Sequence, residues 1–257
     1  MRILITNDDG VYAPGLRALA SELAALGEVV VFAPEREQSC SGHAITLHKP
    51  LRIREARIDG ADVRAYSVSG TPADCVVLGC LQEEEPFDLV VSGINAGANL
   101  GEEVFYSGTV AAAMEASLHG IRSVAVSVTA YRDCDFRAAA QFATQFGPAC
   151  ATMDLPPDMV LNVNVPSLPP EEIRGVRVTR LGRRSYENFL ERREDPRGVP
   201  YYWFSGEARE ADATEDTDIG ATQAGFISVT PMRFDVTAYE AMGGIVSQLS
   251  ALGLVRP

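Results

Sequence analysis

Strand-length apolar runs and stretches of helical spacing alternate through the first 130 residues, and this alternation restricts the fold more than any other feature of the chain. Ile3-Leu4-Ile5 lies within a first strand over about residues 2–6. The next stretch has Pro14 at its start, Leu16, Leu19, Leu23 and Leu26 on one face, and Gly27 as its stop. Val29-Val30-Val31-Phe32 is apolar at every position, which suits a strand covered on both faces. Ala33-Pro34 ends it, and a polar loop runs over residues 35–43. Residues 45–68 read as the shorter strands of a meander. Thr71-Pro72 opens a second helix to about residue 82, and residues 87–91 form a further buried strand. After a loop over 92–108 come a small-residue helix at 109–117 and a strand at 124–128. The rhythm predicts an α/β fold, Rossmann-like and doubly wound, with a mostly parallel sheet and ligands at the carboxyl ends of its strands.

From about residue 160 the texture changes. Leu161-Asn162-Val163-Asn164-Val165 alternates strictly, and Val176-Arg177-Val178-Thr179 has strand character. Residues 182–198 are dense in Arg and Glu, and Tyr201-Tyr202-Trp203-Phe204 would form one arm of a long hairpin. Residues 207–218 are acidic and read as loop, 226–230 as strand, and 238–252 as a terminal helix weakened by Gly243-Gly244. The expected division is a Rossmann-like core over 1–160 and a smaller β-rich extension over 161–257, which carries a hairpin at about 185–204 and the terminal helix. An isolated hairpin is marginal in water, and four aromatics exposed together would be costly, so the hairpin is expected to pack on another subunit.

A net charge of -13 argues against binding nucleic-acid polymers, which takes a basic surface. It does not exclude a small anionic substrate drawn in by a bound cation and a helix N-terminus. No apolar stretch is long enough to span a bilayer. The chain begins a strand at once, without the basic-then-apolar layout of a signal peptide. The five cysteines are odd in number and lack CxxC spacing, which reads as structural thiols in a reducing compartment. A cytoplasmic location is expected.

Asn7-Asp8-Asp9-Gly10 follows the first strand directly. Two adjacent carboxylates repel each other, and the mouth of a buried strand is where an α/β sheet binds its ligands. The pair reads as a hard-metal site, with Gly10 letting the backbone turn; an ordinary acidic turn is the other reading. Three further loops at strand ends carry oxygen donors: Glu35-Arg36-Glu37-Gln38-Ser39, Ser92-Gly93-Ile94-Asn95-Ala96-Gly97-Ala98-Asn99, and Tyr106-Ser107-Gly108-Thr109. Carboxylates, hydroxyls and an amide suit Mg²⁺, Mn²⁺ or Ca²⁺ better than zinc or copper. Ser107-Gly108-Thr109 at a helix start would cradle a phosphate, or simply cap the helix. Neither GxGxxG nor GxxxxGK[ST] occurs, which disfavours hydride transfer and ATP-driven chemistry.

Taken in order, these motifs resemble the SurE family, the stationary-phase survival protein E phosphatases acting on nucleoside monophosphates. The resemblance rests on Ile5-Thr6-Asn7-Asp8-Asp9-Gly10, Ala33-Pro34-Glu35-Arg36-Glu37-Gln38-Ser39, Gly70-Thr71-Pro72-Ala73-Asp74-Cys75 and Ser92-Gly93-Ile94-Asn95. It continues through Asn99-Leu100-Gly101, Tyr106 to Glu115, Asn162-Val163-Asn164-Val165-Pro166 and Val229-Thr230-Pro231. Cys40-Ser41-Gly42-His43 and Ala96 depart from what many members carry, which touches loop shape or substrate preference. The resemblance implies a divalent-metal-dependent phosphomonoesterase that hydrolyses nucleoside 5′- and 3′-monophosphates. It implies Mg²⁺ or Mn²⁺, with Ca²⁺ or Co²⁺ as alternatives, held by Asp8, Asp9, Ser39 and Asn95. It further implies phosphate contacts from Asn99, Ser107 and Thr109, with Gly108 shaping the turn, and a homodimer or homotetramer built partly by exchange of C-terminal segments. Asp8 is the expected carboxylate assisting an attacking water, and Ser107 the expected stabiliser of phosphoryl charge. The alternatives are a short polyphosphate or another small phosphomonoester as substrate, or a nucleotide-binding regulator without turnover.

Overall fold

β1 (Arg2–Thr6) and β2 (Glu28–Pro34) are covered on both faces, as their unbroken apolar runs require. They belong to a computed structural model that describes residues 1–254 and, within them, all side chains except those of residues 185–189 and 205–211. That part of the expected hairpin at 185–189 therefore lies outside the described side chains. Between the first two strands, α1 (Pro14–Leu23) buries Leu16, Leu19, Ala20 and Leu23. Each buried leucine contributes roughly 2–3 kcal/mol.

β3 (Ile53–Ala56) and β4 (Arg64–Val68) pair with each other antiparallel, but β4 also runs parallel to β2 and so extends the main sheet. α2 (Pro72–Gln82) starts with a reciprocal cap. The Thr71 hydroxyl accepts from the Asp74 N–H at 3.1 Å, and the Asp74 carboxylate accepts from the Thr71 N–H at 2.9 Å. β5 (Leu89–Ala96) continues well past the expected end at Val91. It is followed by α3 (Gly108–Leu118), β6 (Arg122–Val128), α4 (Arg137–Thr152), β7 (Met159–Val165) and β8 (Val176–Val178). The hairpin β9 (Arg183–Glu194) and β10 (Pro200–Asp212) comes next, then α5 (Asp218–Gln223), β11 (Ile227–Arg233) and α6 (Tyr239–Ala251).

Nine strands form one sheet in the order β3-β4-β2-β1-β5-β6-β7-β11-β8. From β4 to β7 neighbouring strands are parallel, β11 joins β7 antiparallel, and β3 is antiparallel on its edge. This is the mostly parallel Rossmann-like architecture that the alternation predicts. α1 and α4 pack on one face of the sheet, α2 and α3 on the other. The chain lays down β1, β2 and β4 in one direction, then crosses to β5, β6 and β7 on the other side of β1. The order thus reverses between β1 and β5, and at such a switch point the flanking loops diverge and leave a crevice.

Two helices depart from the sequence reading. α4 has no side-chain N-cap and carries Pro148, so neither its start nor its continuation is signalled. α5 spans six residues, too few for helical periodicity to show. Of the residues read as acidic loop, 207–212 form the end of β10 and Asp218 opens α5, while 213–217 are the loop expected. Among the described residues the hairpin strands pair only with each other, over a longer span than expected. Tyr202, Trp203 and Phe204 are exposed on it, and α6 buries none of its residues.

Candidate active site

The crevice between β1 and β5 holds Asp8 and Asp9. Asn7 frames them by closing on Gly10 from both sides: its amide donates to the Gly10 carbonyl at 3.0 Å, and its side-chain oxygen accepts from the Gly10 N–H at 3.2 Å. Asp8 is buried against the start of α3. Its carboxylate accepts from the Thr109 hydroxyl at 2.5 Å and from the Thr109 N–H at 3.1 Å. Gly108 makes this approach possible, because a Cβ there would sit 2.9 Å from the Asp8 Cβ and 2.8 Å from Ser41 Oγ. Burial pushes the Asp8 carboxyl above the ordinary range, against the opposing pull of the Thr109 bonds.

Asp9 faces the other wall, where its carboxylate accepts from the Ala96 N–H at 3.0 Å. Burial, with Asp8 and Glu37 as like-charged neighbours, pushes its carboxyl up to about 6. Asn95 adjoins this contact at the end of β5. A bulge sets its position: Gly93 pairs with Val126 and Asn95 with Ser127, so Ile94 is the extra residue. Gly93 adopts φ +137°, and a Cβ there would lie 2.2 Å from the Val126 carbonyl oxygen, so only glycine fits. The Asn95 amide donates to the Gly97 carbonyl at 2.7 Å.

Ser39 comes from the loop after β2, which is laced to the site by the Gln38 N–H donating to the Asp8 carbonyl at 2.8 Å. The Ser39 hydroxyl itself donates to Glu37 at 2.5 Å. The same loop is tied to α3 farther along. His43 Nε2 meets the Glu115 carboxylate at 2.7 Å, and His119 lies 3.3 Å from its other oxygen. These contacts, His43 first, hold the Glu115 carboxyl below its ordinary range.

Ser107 caps α3, accepting from the Val110 N–H at 3.0 Å, so its hydroxyl proton remains available. Thr109 faces Asp8, and contact with a phosphate would require exchange of one of those two bonds. Asn99 is buried with its amide donating to Ser127 at 2.7 Å, while Asn162 and Asn164 both donate to its backbone carbonyl. The structure thus places the loops of Asp8, Asp9, Ser39, Asn95, Ser107 and Thr109 at one end of the sheet. The donors are oxygens; among the described residues, no group of three or more His, Cys, Asp or Glu is arranged to hold a metal.

Sequence reasoning did not find Ser41, whose buried hydroxyl has no hydrogen-bond partner among the described residues and lies against Gly108. Nor did it find Asp218 on α5, which accepts from the Gly101 and Gly182 N–H groups and so joins the site loop to the base of the hairpin. Two fully buried asparagines at alternate positions of β7 were a usable signal, since amides on an otherwise apolar strand need partners.

A model of the family described as Survival protein SurE matches residues 3–188. The chain belongs to the SurE family. A protein of Moorella thermoacetica named 5′-nucleotidase SurE is 50% identical over 254 residues, covering 98% of this chain and 97% of its own length. One of the same name from Aeromonas hydrophila subsp. hydrophila is 46% identical, covering 98% of this chain and 100% of its own. The crystal structure of the SurE protein from Aquifex aeolicus superposes with a TM-score of 0.83 at 42% identity, covering 96% of this chain and 99% of that one. The SurE resemblance carried by the sequence motifs therefore extends over almost the whole chain.

Proposed function

We propose that this SurE-family chain is a divalent-metal-dependent 5′-nucleotidase that hydrolyses nucleoside 5′-monophosphates, and also 3′-monophosphates, to nucleoside and phosphate. The observation that carries this is the meeting of Asp8 and Asp9 with the start of α3 at the sheet's switch point. The names of the relatives, at 46% and 50% identity over nearly full length, support the substrate class.

Asp8, Asp9, Ser39 and Asn95 suit a hard cation: two crowded carboxylates whose ionisation burial opposes, a hydroxyl and an amide. Mg²⁺ or Mn²⁺ fits this set, with Ca²⁺ or Co²⁺ as substitutes. When bound, such an ion polarises the phosphoryl oxygens and lowers the pKa of an attacking water. Asp8 accepts the water's proton, and the two Thr109 bonds hold its carboxylate in one orientation. Asp9 mainly holds the ion. Ser107 donates its free hydroxyl proton to a phosphoryl oxygen, and Asn99 contributes the amide proton not used on Ser127.

The division near residue 160 is read as a division of labour. The first part carries every proposed site residue, and residues 161–257 supply assembly. Tyr202, Trp203 and Phe204 on the hairpin, and Met242, Ile245, Val246 and Leu249 on α6, are exposed apolar groups that a second copy would cover. A homodimer, or a tetramer through the hairpins, follows. No helix among the described residues is long and apolar enough to cross a membrane, and the five cysteines are free, as a reducing cytoplasm would keep them.

Phosphate release from 5′- and 3′-nucleotides, measured after metal stripping and re-addition of single ions, tests the reading. Turnover of polyphosphate but of no nucleotide would overturn the substrate class.

A further inference from the structure

A cleft of about 620 Å³ runs along α1 from Pro14 to Glu22, between that helix and the loop joining β6 to the first turn of α4, and reaches Ala96 beside the Asp9 wall. Ala96 lines it, and the Ala96 N–H is the group that holds Asp9, so the cleft and the carboxylate pair share a wall. Its volume falls within the range of small-molecule sites. Tyr131 and Phe136 supply aromatic surface, and Arg17 and Arg132 supply guanidinium groups that form no ion pair among the described residues. Arg137, already paired with Asp135, and the acids Glu22 and Asp133 also line it, so the lining is of mixed charge and suits a polar but uncharged group.

Tyr131 occupies the strategic position. Its ring lies on Gly97, in the loop that follows Asn95, where a Cβ would come within 2.5 Å of ring Cε1. The side chain is nonetheless 70% exposed, so much of the ring is left uncovered. The supporting loop is pinned. The Asp135 N–H donates to Ser167 Oγ at 3.1 Å, Cys134 Sγ donates to the Ala130 carbonyl at 2.9 Å, and Arg137 pairs with Asp135 at 2.6 Å. A flat ring on a fixed loop, flanked by planar donors, has the chemistry to recognise a nucleobase.

We propose that this cleft is the nucleoside subsite: the base stacks on Tyr131 and is read by Arg17 and Arg132, while the phosphoryl group lies at Asp8 and Asp9. The proposal rests on the nucleotidase reading and adds the element that distinguishes a nucleotide from a bare sugar phosphate. Stacking of a base on one aromatic ring is commonly lost with about tenfold effects or more.

The test compares kcat/KM for 5′-AMP and ribose 5-phosphate in the metal-loaded full chain, as wild type, Tyr131→Ala and Tyr131→Phe. Wild type should prefer 5′-AMP. Tyr131→Ala should lower the AMP-to-ribose-5-phosphate ratio about tenfold, mainly through KM for AMP, and Tyr131→Phe should retain the wild-type ratio. A merely structural role would depress both substrates together. Equal loss on both substrates, no loss on AMP, or no wild-type preference for AMP would each overturn the subsite while leaving phosphatase activity standing. Release from neither substrate by the wild type would instead remove the nucleotidase reading, and the subsite with it.

Discussion

Asp9→Asn should stabilise the metal-free protein. Burial, with Asp8 and Glu37 nearby and against the opposing pull of the Ala96 N–H, pushes the Asp9 carboxyl from an ordinary 3.8 to about 6. Each pH unit of that displacement corresponds to about 1.4 kcal/mol, so ionised Asp9 costs the folded chain at most about 3 kcal/mol at neutral pH. Asp9 is part-exposed, and solvent screening reduces this to roughly 1–2 kcal/mol. Asparagine keeps an oxygen for the Ala96 N–H and removes the charge. For a chain of this size the gain corresponds to roughly 2–8 °C in Tm. The sign with pH follows from the raised folded-state pKa: the wild type is favoured while Asp9 is protonated and loses stability as pH rises from about 4 through about 6. The advantage of the variant should therefore be full at pH 7.5 and shrink by more than half at pH 4.5. Thermal melts of both proteins in excess chelator across that range measure it. A variant less stable than wild type at pH 7.5, or an advantage that does not change with pH, would refute the account of this carboxylate. Adding Mn²⁺ should then raise the wild-type Tm and leave the variant nearly unmoved, because ligand linkage acts only through a site that binds.

Metal-stripped protein in excess chelator should release no phosphate from 5′-AMP, and re-addition of Mg²⁺ or Mn²⁺ should restore release; full turnover without metal would remove the ion from the mechanism. Asp8→Asn should lower kcat by roughly 10²–10⁴ if Asp8 handles a proton in the transition state, and a near-normal kcat at saturating metal would assign it to ion binding alone. Thr109→Val deletes the hydroxyl bond to Asp8 with little change in volume; it should depress kcat more than KM, as steady-state kinetics would show, and an unchanged kcat would deny Thr109 its positioning role. Replacing residues 187–203 with a short Gly-Ser turn should lower the oligomeric state seen by light scattering while metal-dependent turnover persists, and an unchanged oligomer, or a monomeric intact protein, would place the hairpin elsewhere.

Residues close together in sequence announced what short-range physics decides. Pro14 and the leucines of α1, the Thr71–Asp74 cap of α2 and the apolar runs of β1 and β2 each state their own conformation, because periodicity, caps and fixed φ angles act within a few residues. The two carboxylates after β1 were legible for the same reason, and the SurE motifs linked the distant loops. The strand order and its reversal between β1 and β5 came only from the tertiary structure, since which strands pair depends on long-range packing that no local pattern records. The bulge that positions Asn95 and the continuation of β5 through a stretch that reads as loop belong there too. So does the role of Thr109: alone in sequence it is a helix-start hydroxyl suited to a phosphate, yet once α3 packs beside β1 the nearest anion is Asp8, and a buried carboxylate takes the donors that lie closest.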